Sequence, residues 1–241
     1  VGRTGSMGGT IGATGPAMAI QGLTALRGAV PESTEAQQYE AMQAAIRQAR
    51  IDPSTNLGQF ATAALKIQMS AGIGGQAAAN VLGVYGARAG GDIGTLAGTI
   101  PALAASAAPR APMSDILALH AFGPTFTGDT TGEKTSRAVR QMVSNLAVKD
   151  LRVGGRAVKF KAGNVVDRMQ EALADIAAGK YGDPEKALNA FAEQLGEGEE
   201  SKSLVRGLAK GGADFATTRQ FMRGAAGGTE DLQGQLLAIK A

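Results

Sequence analysis

Residues 83–98 read GVYGARAGGDIGTLAG and have a glycine at every fourth position from 86 to 98. Residues four apart lie on one face of a helix, so this spacing predicts a groove without side chains, into which another helix can pack closely. A glycine-rich loop between helices is the alternative, because each interior glycine destabilises a helix by about 0.5–1 kcal/mol relative to alanine. The predicted helix-packing groove consists of four glycines, Gly86, Gly90, Gly94 and Gly98.

The composition agrees with closely packed helices. The 241 residues include 35 glycines and 46 alanines, whereas only 4% are aromatic. Aromatic side chains bury the most area per residue, so close backbone packing has to replace large side chains in this core. Glycine has no three-residue period, which excludes a collagen-like chain. Apolar residues recur at helical spacing, which disfavours disorder.

Side chains that can cap a helix precede several of the apolar periodic segments. Thr34 and Gln37 can form a capping box. Asp183 can cap another helix, whose first residue is then Pro184. Hydroxyl and amide side chains also accept hydrogen bonds from helix N-termini, which predicts three further caps at Ser54, Ser114 and Asn164.

One segment changes to a period of two. Residues 151–161 (LRVGGRAVKFK) alternate on both sides of two glycines, which is typical of a β-hairpin with a two-residue turn. The sequence therefore predicts an all-α, multi-helix, partly extended assembly with one short β-hairpin near 151–160. We divide it into a glycine-rich flexible or partner-ordered segment (1–31), a Gly/Ala-rich helical region (32–112), a helical domain with the hairpin (113–196) and a C-terminal helical segment (197–241).

Two long stretches, 67–87 and 93–109, carry no formal charge. A membrane-spanning helix requires about 20 predominantly apolar residues. Polar side chains and glycines dilute the first stretch, and Pro101 interrupts the second. We therefore do not predict a stable transmembrane helix, and we expect these stretches to pack among copies of the chain or to contact a bilayer transiently.

Positive charge is concentrated in residues 133–161, which contain eight Lys and Arg residues and two acidic residues. The simpler interpretation is a solvated helix face followed by a solvated hairpin. The alternative is a surface that faces a polyanion, either DNA or an acidic lining. Base recognition is not expected, because Phe160 is the one aromatic residue of this segment. The candidate surface consists of Arg137, Arg140, Arg152, Arg156, Lys159 and Lys161.

Few residues are suited to catalysis. The sequence has no cysteine, which excludes disulfides and thiolate metal sites. The single histidine, His120, lies among apolar residues, so we interpret it as a packed or surface histidine rather than a general base. The acidic run at 196–200 is typical of a solvated linker, and residues 128–134 lack the glycine spacing of a phosphate-binding loop. We predict no enzymatic activity, no cofactor and no metal ion.

The middle of the chain carries an ordered series of motifs. Residues 128–147 read GDTTGEKTSRAVRQMVSNLA and are followed by the hairpin, by Val165-Val-Asp-Arg-Met169 and by Ala187-Leu-Asn-Ala-Phe191. In order and spacing these motifs resemble the conserved helical domain of the phage tail tape measure proteins (the minor tail protein family), over about residues 80–195. The turn at 124–127 is longer than in the family pattern, and the residues outside 80–195 fit by composition alone.

This resemblance implies a structural virion protein that sets the length of the tail tube, lies in the tail lumen or tip and leaves ahead of the DNA, reaching the host cell envelope. It implies as partners further copies of the chain, tail tube proteins and the tail tip hub. It also implies proximity to DNA without sequence specificity and transient contact with the host membrane. Because the chain begins at Val1, we interpret it as an internal piece of a longer protein. The alternatives are an internal ejection protein of a short-tailed phage and an unrelated α-helical adaptor module.

Overall fold

The computed structural model describes residues 15–227 except 53, 90–92, 108–109, 130, 149 and 162, and the side chains of 15–21 and 107 are not described. The described residues form helices and one antiparallel pair of strands, so the predicted all-α class with a short hairpin is confirmed. The helices are α1 (Gly15–Ala29), α2 (Glu35–Ile51), α3 (Leu57–Ala71), α4 (Gly75–Ala89), α5 (Ile93–Ala107), α6 (Met113–Phe122), α7 (Pro124–Thr127), α8 (Glu133–Val148), α9 (Val165–Ala177), α10 (Pro184–Leu195), α11 (Glu199–Lys210) and α12 (Gly212–Gly227). The strands are β1 (Arg152–Val153) and β2 (Arg156–Ala157).

Three of the predicted helix caps are confirmed. Thr34 and Gln37 form the capping box at the start of α2, each side chain accepting from the backbone N–H of the other residue. The Asn164 side chain accepts from the second backbone N–H of α9. Asp183 accepts from the backbone N–H of Lys186, the third residue of α10, whose first residue is Pro184. These side chains satisfy donors that have no partner within the helix.

Two predicted caps are wrong. Helix α3 is capped by Asn56, and the Ser54 hydroxyl instead donates to the Asp52 carboxylate at 2.6 Å. Helix α6 begins directly after Pro112, so Ser114 is its second residue and lies inside the helix. Pro112 has φ −58° and ψ 144°, and this extended backbone allows the helix to begin at the next residue without a side-chain cap.

Two helices are enclosed by others. Helix α3 packs against α1, α2, α4 and α5, and α6 packs against α4, α5, α8 and α12. Every residue of α6 from Met113 to Ala121 is buried. A helix that is apolar on nearly all sides is expected to lie in the interior, and α6 therefore forms the centre of the C-terminal half.

Buried apolar side chains from Leu26 to Ala225 form one connected core. The predicted segments 32–112, 113–196 and 197–241 all contribute to it, so the boundaries at 112 and 196 separate helices that share a core. Part of segment 1–31 also joins it, because α1 packs against α2 and α3.

Helix α5 continues through Pro101. Proline has no backbone N–H, so the carbonyl oxygen of Ala97, four residues earlier, has no helical donor. The Lys66 ammonium group of α3 lies 2.9 Å from this oxygen and donates to it. A side chain of the neighbouring helix thus replaces the missing helical hydrogen bond and links α3 to α5.

The predicted hairpin is confirmed. Strands β1 and β2 are joined by Gly154 and Gly155, which have φ values of +56° and +76°. A tight turn that matches the twist of a hairpin requires positive φ at both central residues, and glycine adopts it without a steric penalty. The carbonyl oxygen of Tyr181 also approaches Gly154 so closely that a Cβ there would lie 2.5 Å away.

Candidate functional site

The glycines of the predicted groove that the structure describes are divided between two helices. Gly86 lies in α4, whereas Gly94 and Gly98 lie in α5, and Gly90 falls outside the described residues. The groove through all four positions stays a prediction. Two adjacent glycines at 90 and 91 weaken helix propensity, which agrees with a helix that ends at Ala89.

Among the described atoms, none packs closely against Gly86 or Gly98. A Cβ at Gly98 would meet no atom within 4 Å, and a Cβ at Gly86 would lie 3.6 Å from the Ile93 side chain, an ordinary contact. Gly98 is exposed. The groove as a surface for another molecule remains a prediction.

Close packing against glycine occurs instead on α11. A Cβ at Gly207 would overlap the Phe126 ring, and a Cβ at Gly211, just after the helix, would lie 2.8 Å from the Phe122 ring. The Phe122 and Phe126 rings are in contact, with centroids 4.9 Å apart. The sequence signal for this contact is the same as in the predicted groove, because Gly207 and Gly211 are also four residues apart.

The candidate basic surface is divided between two elements. Arg137 is exposed on α8, and Arg140 is partly buried, with its Nε–H donating to the Ser136 carbonyl at 3.4 Å. A helix rises about 1.5 Å per residue, so Arg140 lies about 12 Å along the axis from Val148, the last residue of α8. The other four residues lie exposed on or after the hairpin: Arg152, Arg156, Lys159 and Lys161.

Acidic residues of α9 lie beside the hairpin and reduce its positive charge. The Lys161 backbone N–H donates to the Glu171 carboxylate at 3.0 Å. The Arg156 guanidinium donates to the Lys180 carbonyl, and the Lys180 ammonium pairs with Asp175 at 2.5 Å. The count of charges in residues 133–161 left out these carboxylates, because α9 follows that segment in the sequence. In the fold, α9 lies beside it.

His120 is buried in a hydrogen-bonded chain that joins three elements, and we call Tyr85, His120, Gly132 and Ser136 the His120 network. The Tyr85 hydroxyl lies 2.9 Å from Nδ1, and Nε2 lies 3.1 Å from the Gly132 carbonyl oxygen and 2.7 Å from the Ser136 hydroxyl. A carbonyl oxygen can only accept, so these contacts favour the neutral tautomer with the proton on Nε2 and Tyr85 donating to Nδ1.

The His120 network is suited to holding helices together. His120 is 1% exposed, and burial lowers its pKa to about 4, so it is uncharged at neutral pH. The Ser136 hydroxyl donates to the Gly132 carbonyl at 2.8 Å, so it is not arranged as a nucleophile that His120 deprotonates. The interpretation of His120 as a packed histidine agrees with this geometry.

A second polar cluster surrounds the other end of α6. We call Asp115, Asn164, Asp167, Arg219 and Arg223 the Asp115 cluster. Asp115 is fully buried and accepts from Arg223 through both carboxylate oxygens, at 2.6 and 2.7 Å. Its Oδ2 also accepts from Arg219 at 2.6 Å and from Asn164 at 2.8 Å. Arg219 in turn contacts Asp167 at 2.5 Å.

These contacts keep Asp115 ionised. Burial by itself would raise the pKa of the Asp115 carboxyl, but the hydrogen bonds from Arg219, Arg223 and Asn164 outweigh burial and hold that pKa below its usual value. The two arginines balance the charges of Asp115 and Asp167. The cluster has no local sequence signal, because Asp115 and Arg219 are 104 residues apart.

An open groove of about 470 Å³ lies beside the Asp115 cluster. Because the cluster is neutral overall, the groove offers no excess positive charge to an anionic ligand. The arrangement connects α6, α9 and α12 and does not present a reactive group. The groove is lined by Gln170, Ala216, Arg219, Gln220, Arg223 and Gly224.

Comparison with known proteins finds no family model, curated protein or solved structure that matches this chain. Among the described residues, no group of three or more acidic or histidine side chains is placed to hold a metal ion. No helix in the described ranges has both the length and the apolar character needed to cross a bilayer.

Proposed function

We propose that this chain is part of a phage tail tape measure protein. In this role it sets the length of the tail tube during assembly, lies in the tail lumen or tip, and leaves the virion ahead of the DNA. Its partners are other copies of the chain, the tail tube and the tail tip hub. Contact with DNA is non-specific, and contact with the host membrane is transient.

The observation that carries the proposal is the order of the motifs along residues 128–191. They correspond to four consecutive elements, α8, the hairpin, α9 and α10. These elements also contact one another: α8 packs against α9 and α10, and β1 packs against α10. A motif series that forms one packed unit supports a common origin with the tape measure domain better than scattered matches would.

Two further features support a structural role. The buried ionisable groups Asp115 and His120 form intramolecular hydrogen bonds that tie helices together. Half of the buried residues of α2 and α3 are alanines, including Ala41, Ala45 and Ala64. Small side chains give slender helices with little apolar area per residue, so local unfolding, as passage through a narrow tube requires, needs less free energy.

The test is a deletion in the phage that encodes the chain. Removing residues 31–227 in frame should shorten the tail by about 300 Å, since a helical ruler spans about 1.5 Å per residue. The matched control is Asp115→Ala, which disturbs the fold without changing the number of residues and should leave tail length unchanged. Tail lengths are measured by electron microscopy of purified particles.

The other outcomes separate the alternatives. Tails of normal length on particles that no longer deliver DNA would contradict a ruler and support an ejection protein. Normal particles that lack the polypeptide altogether would contradict both virion functions and support an adaptor module.

A further inference from the structure

Helix α12 is the last described helix and is attached by a single-residue connection. Gly211 separates it from α11. It packs mainly against α4 and α6, with fewer contacts to α11. A helix at the edge of the described fold can open locally, and such elements often open at a lower free energy than the whole domain.

The apolar attachment of α12 depends on three buried side chains and one partly buried ring. Phe215, Met222 and Ala225 are buried, and the ring of Phe221 lies 5.7 Å from the guanidinium carbon of Arg88 on α4. Most of the other residues of α12 are exposed. Polar contacts add to these apolar ones.

Those polar contacts converge on one buried carboxylate. Arg219 and Arg223 are four residues apart, so they lie on one face of α12, and both bind Asp115 of α6. If α12 moves away, both arginines lose Asp115 at the same time. The two contacts are therefore broken together and not one by one.

We propose that α12 is a latch, which opens as one unit and is held closed by the contacts of Arg219 and Arg223 with Asp115. Opening uncovers the face of α6 that α12 covers; α6 is otherwise buried from Met113 to Ala121. The Asp115 cluster thus determines where unfolding of this chain begins. The inference does not depend on the proposed function, although a chain that is threaded through a tube needs such a starting point.

Hydrogen exchange of the 241-residue chain tests the latch. In Asp115→Asn the amides of α12 should exchange about 100-fold faster or more, because removing one partner of a buried ion pair leaves a buried charge uncompensated. The amides of α3 should keep their rates. The matched control is Asp175→Asn, which removes the partner of the exposed Lys180 and should leave both sets of rates unchanged.

A second variant decides the question if Asp115→Asn does not fold. Arg223 has a side chain that is 46% exposed, so Arg223→Gln should be tolerated and should still accelerate exchange in α12 selectively. Equal acceleration in α12 and α3 would show that the cluster supports only global stability. Unchanged rates in α12 would show that the cluster does not hold it. Either result overturns the proposal.

Discussion

Helices α3 and α6 are both enclosed by other helices, and they are held by different interactions. Around α3 the buried side chains are mostly apolar, with alanines such as Ala61 and Ala64 packed among large side chains such as Phe60. Helix α6 carries the fully buried Asp115 near its start and His120 near its end, and each belongs to a polar network. The stability of the N-terminal half therefore depends on how well its side chains pack. The stability of the C-terminal half depends on charge and hydrogen bonding as well.

The difference predicts different responses to solution conditions. Packing of alanine against backbone depends on volume and does not change with protonation. Buried polar networks are stable only in one protonation state, and an unmatched group in them is strongly unfavourable. The four predictions below test this contrast between the two halves.

The largest effect should come from acid. Burial lowers the pKa of His120 to about 4, below its usual 6.5, so the unfolded chain takes up this proton first. The contribution of the neutral His120 to the free energy of unfolding is complete above pH 6.5. It falls by about 3 kcal/mol in total as the pH decreases towards 4. Urea unfolding followed by circular dichroism at several pH values measures the change.

The matched variant is His120→Gln, which removes the only histidine of the chain. It should be less stable at pH 7 and should show a much flatter dependence between pH 6.5 and 4. A wild-type chain of constant stability in this range would contradict the assignment of a buried neutral histidine.

A substitution on α11 tests the shape of the C-terminal half. Gly207→Ala should destabilise the chain by about 2 kcal/mol, because the new methyl group overlaps the Phe126 ring and forces it to move. Thermal unfolding measures the loss. Combining it with Phe126→Leu should recover part of the stability. A double variant whose loss of stability equals the sum of the two single losses would argue against this contact.

A double-mutant cycle tests the link between α3 and α5. Lys66→Met should destabilise the chain by about 1 kcal/mol, because the Ala97 carbonyl loses its donor. Pro101→Ala restores a backbone N–H to that carbonyl, so the same Lys66 substitution should have a much smaller effect in this background. Equal effects in both backgrounds, determined by urea unfolding, would mean that Lys66 does not replace the helical donor.

The smallest effect should be a gain. Gly98→Ala places a methyl group where no atom lies within 4 Å, on an exposed position inside α5. Alanine is a better helix former than glycine, so the isolated chain should become more stable by about 0.5–1 kcal/mol. A loss of stability at this position in a monomeric sample would show that the backbone there packs more closely than described.

Local features could be predicted from the sequence. The capping box at Thr34, the caps at Asn164 and Asp183 and the turn at Gly154-Gly155 depend on residues within a few positions of one another. Their hydrogen bonds are determined by short-range backbone geometry. The caps at Ser54 and Ser114 were wrong because a nearby Asn or Pro provides an alternative helix start.

The polar networks could not be predicted in this way. Asp115 meets arginines more than 100 residues away, and Lys66 meets the Ala97 carbonyl 31 residues away. The spacing of residues in a single sequence does not show which distant residues become partners in the fold. Pro101 was expected to interrupt its stretch, whereas α5 continues through it because the Lys66 side chain supplies the missing donor.

The distance between Asp115 and its arginines along the chain has a consequence for biosynthesis. Asp115 leaves the ribosome 104 residues before Arg219. Enclosing an ionised carboxylate without its counterions is unfavourable by several kcal/mol, so α6 is expected to stay accessible to solvent while the intervening residues are translated. The helices around α3 can assemble early, and the second half is completed once translation has passed Arg223.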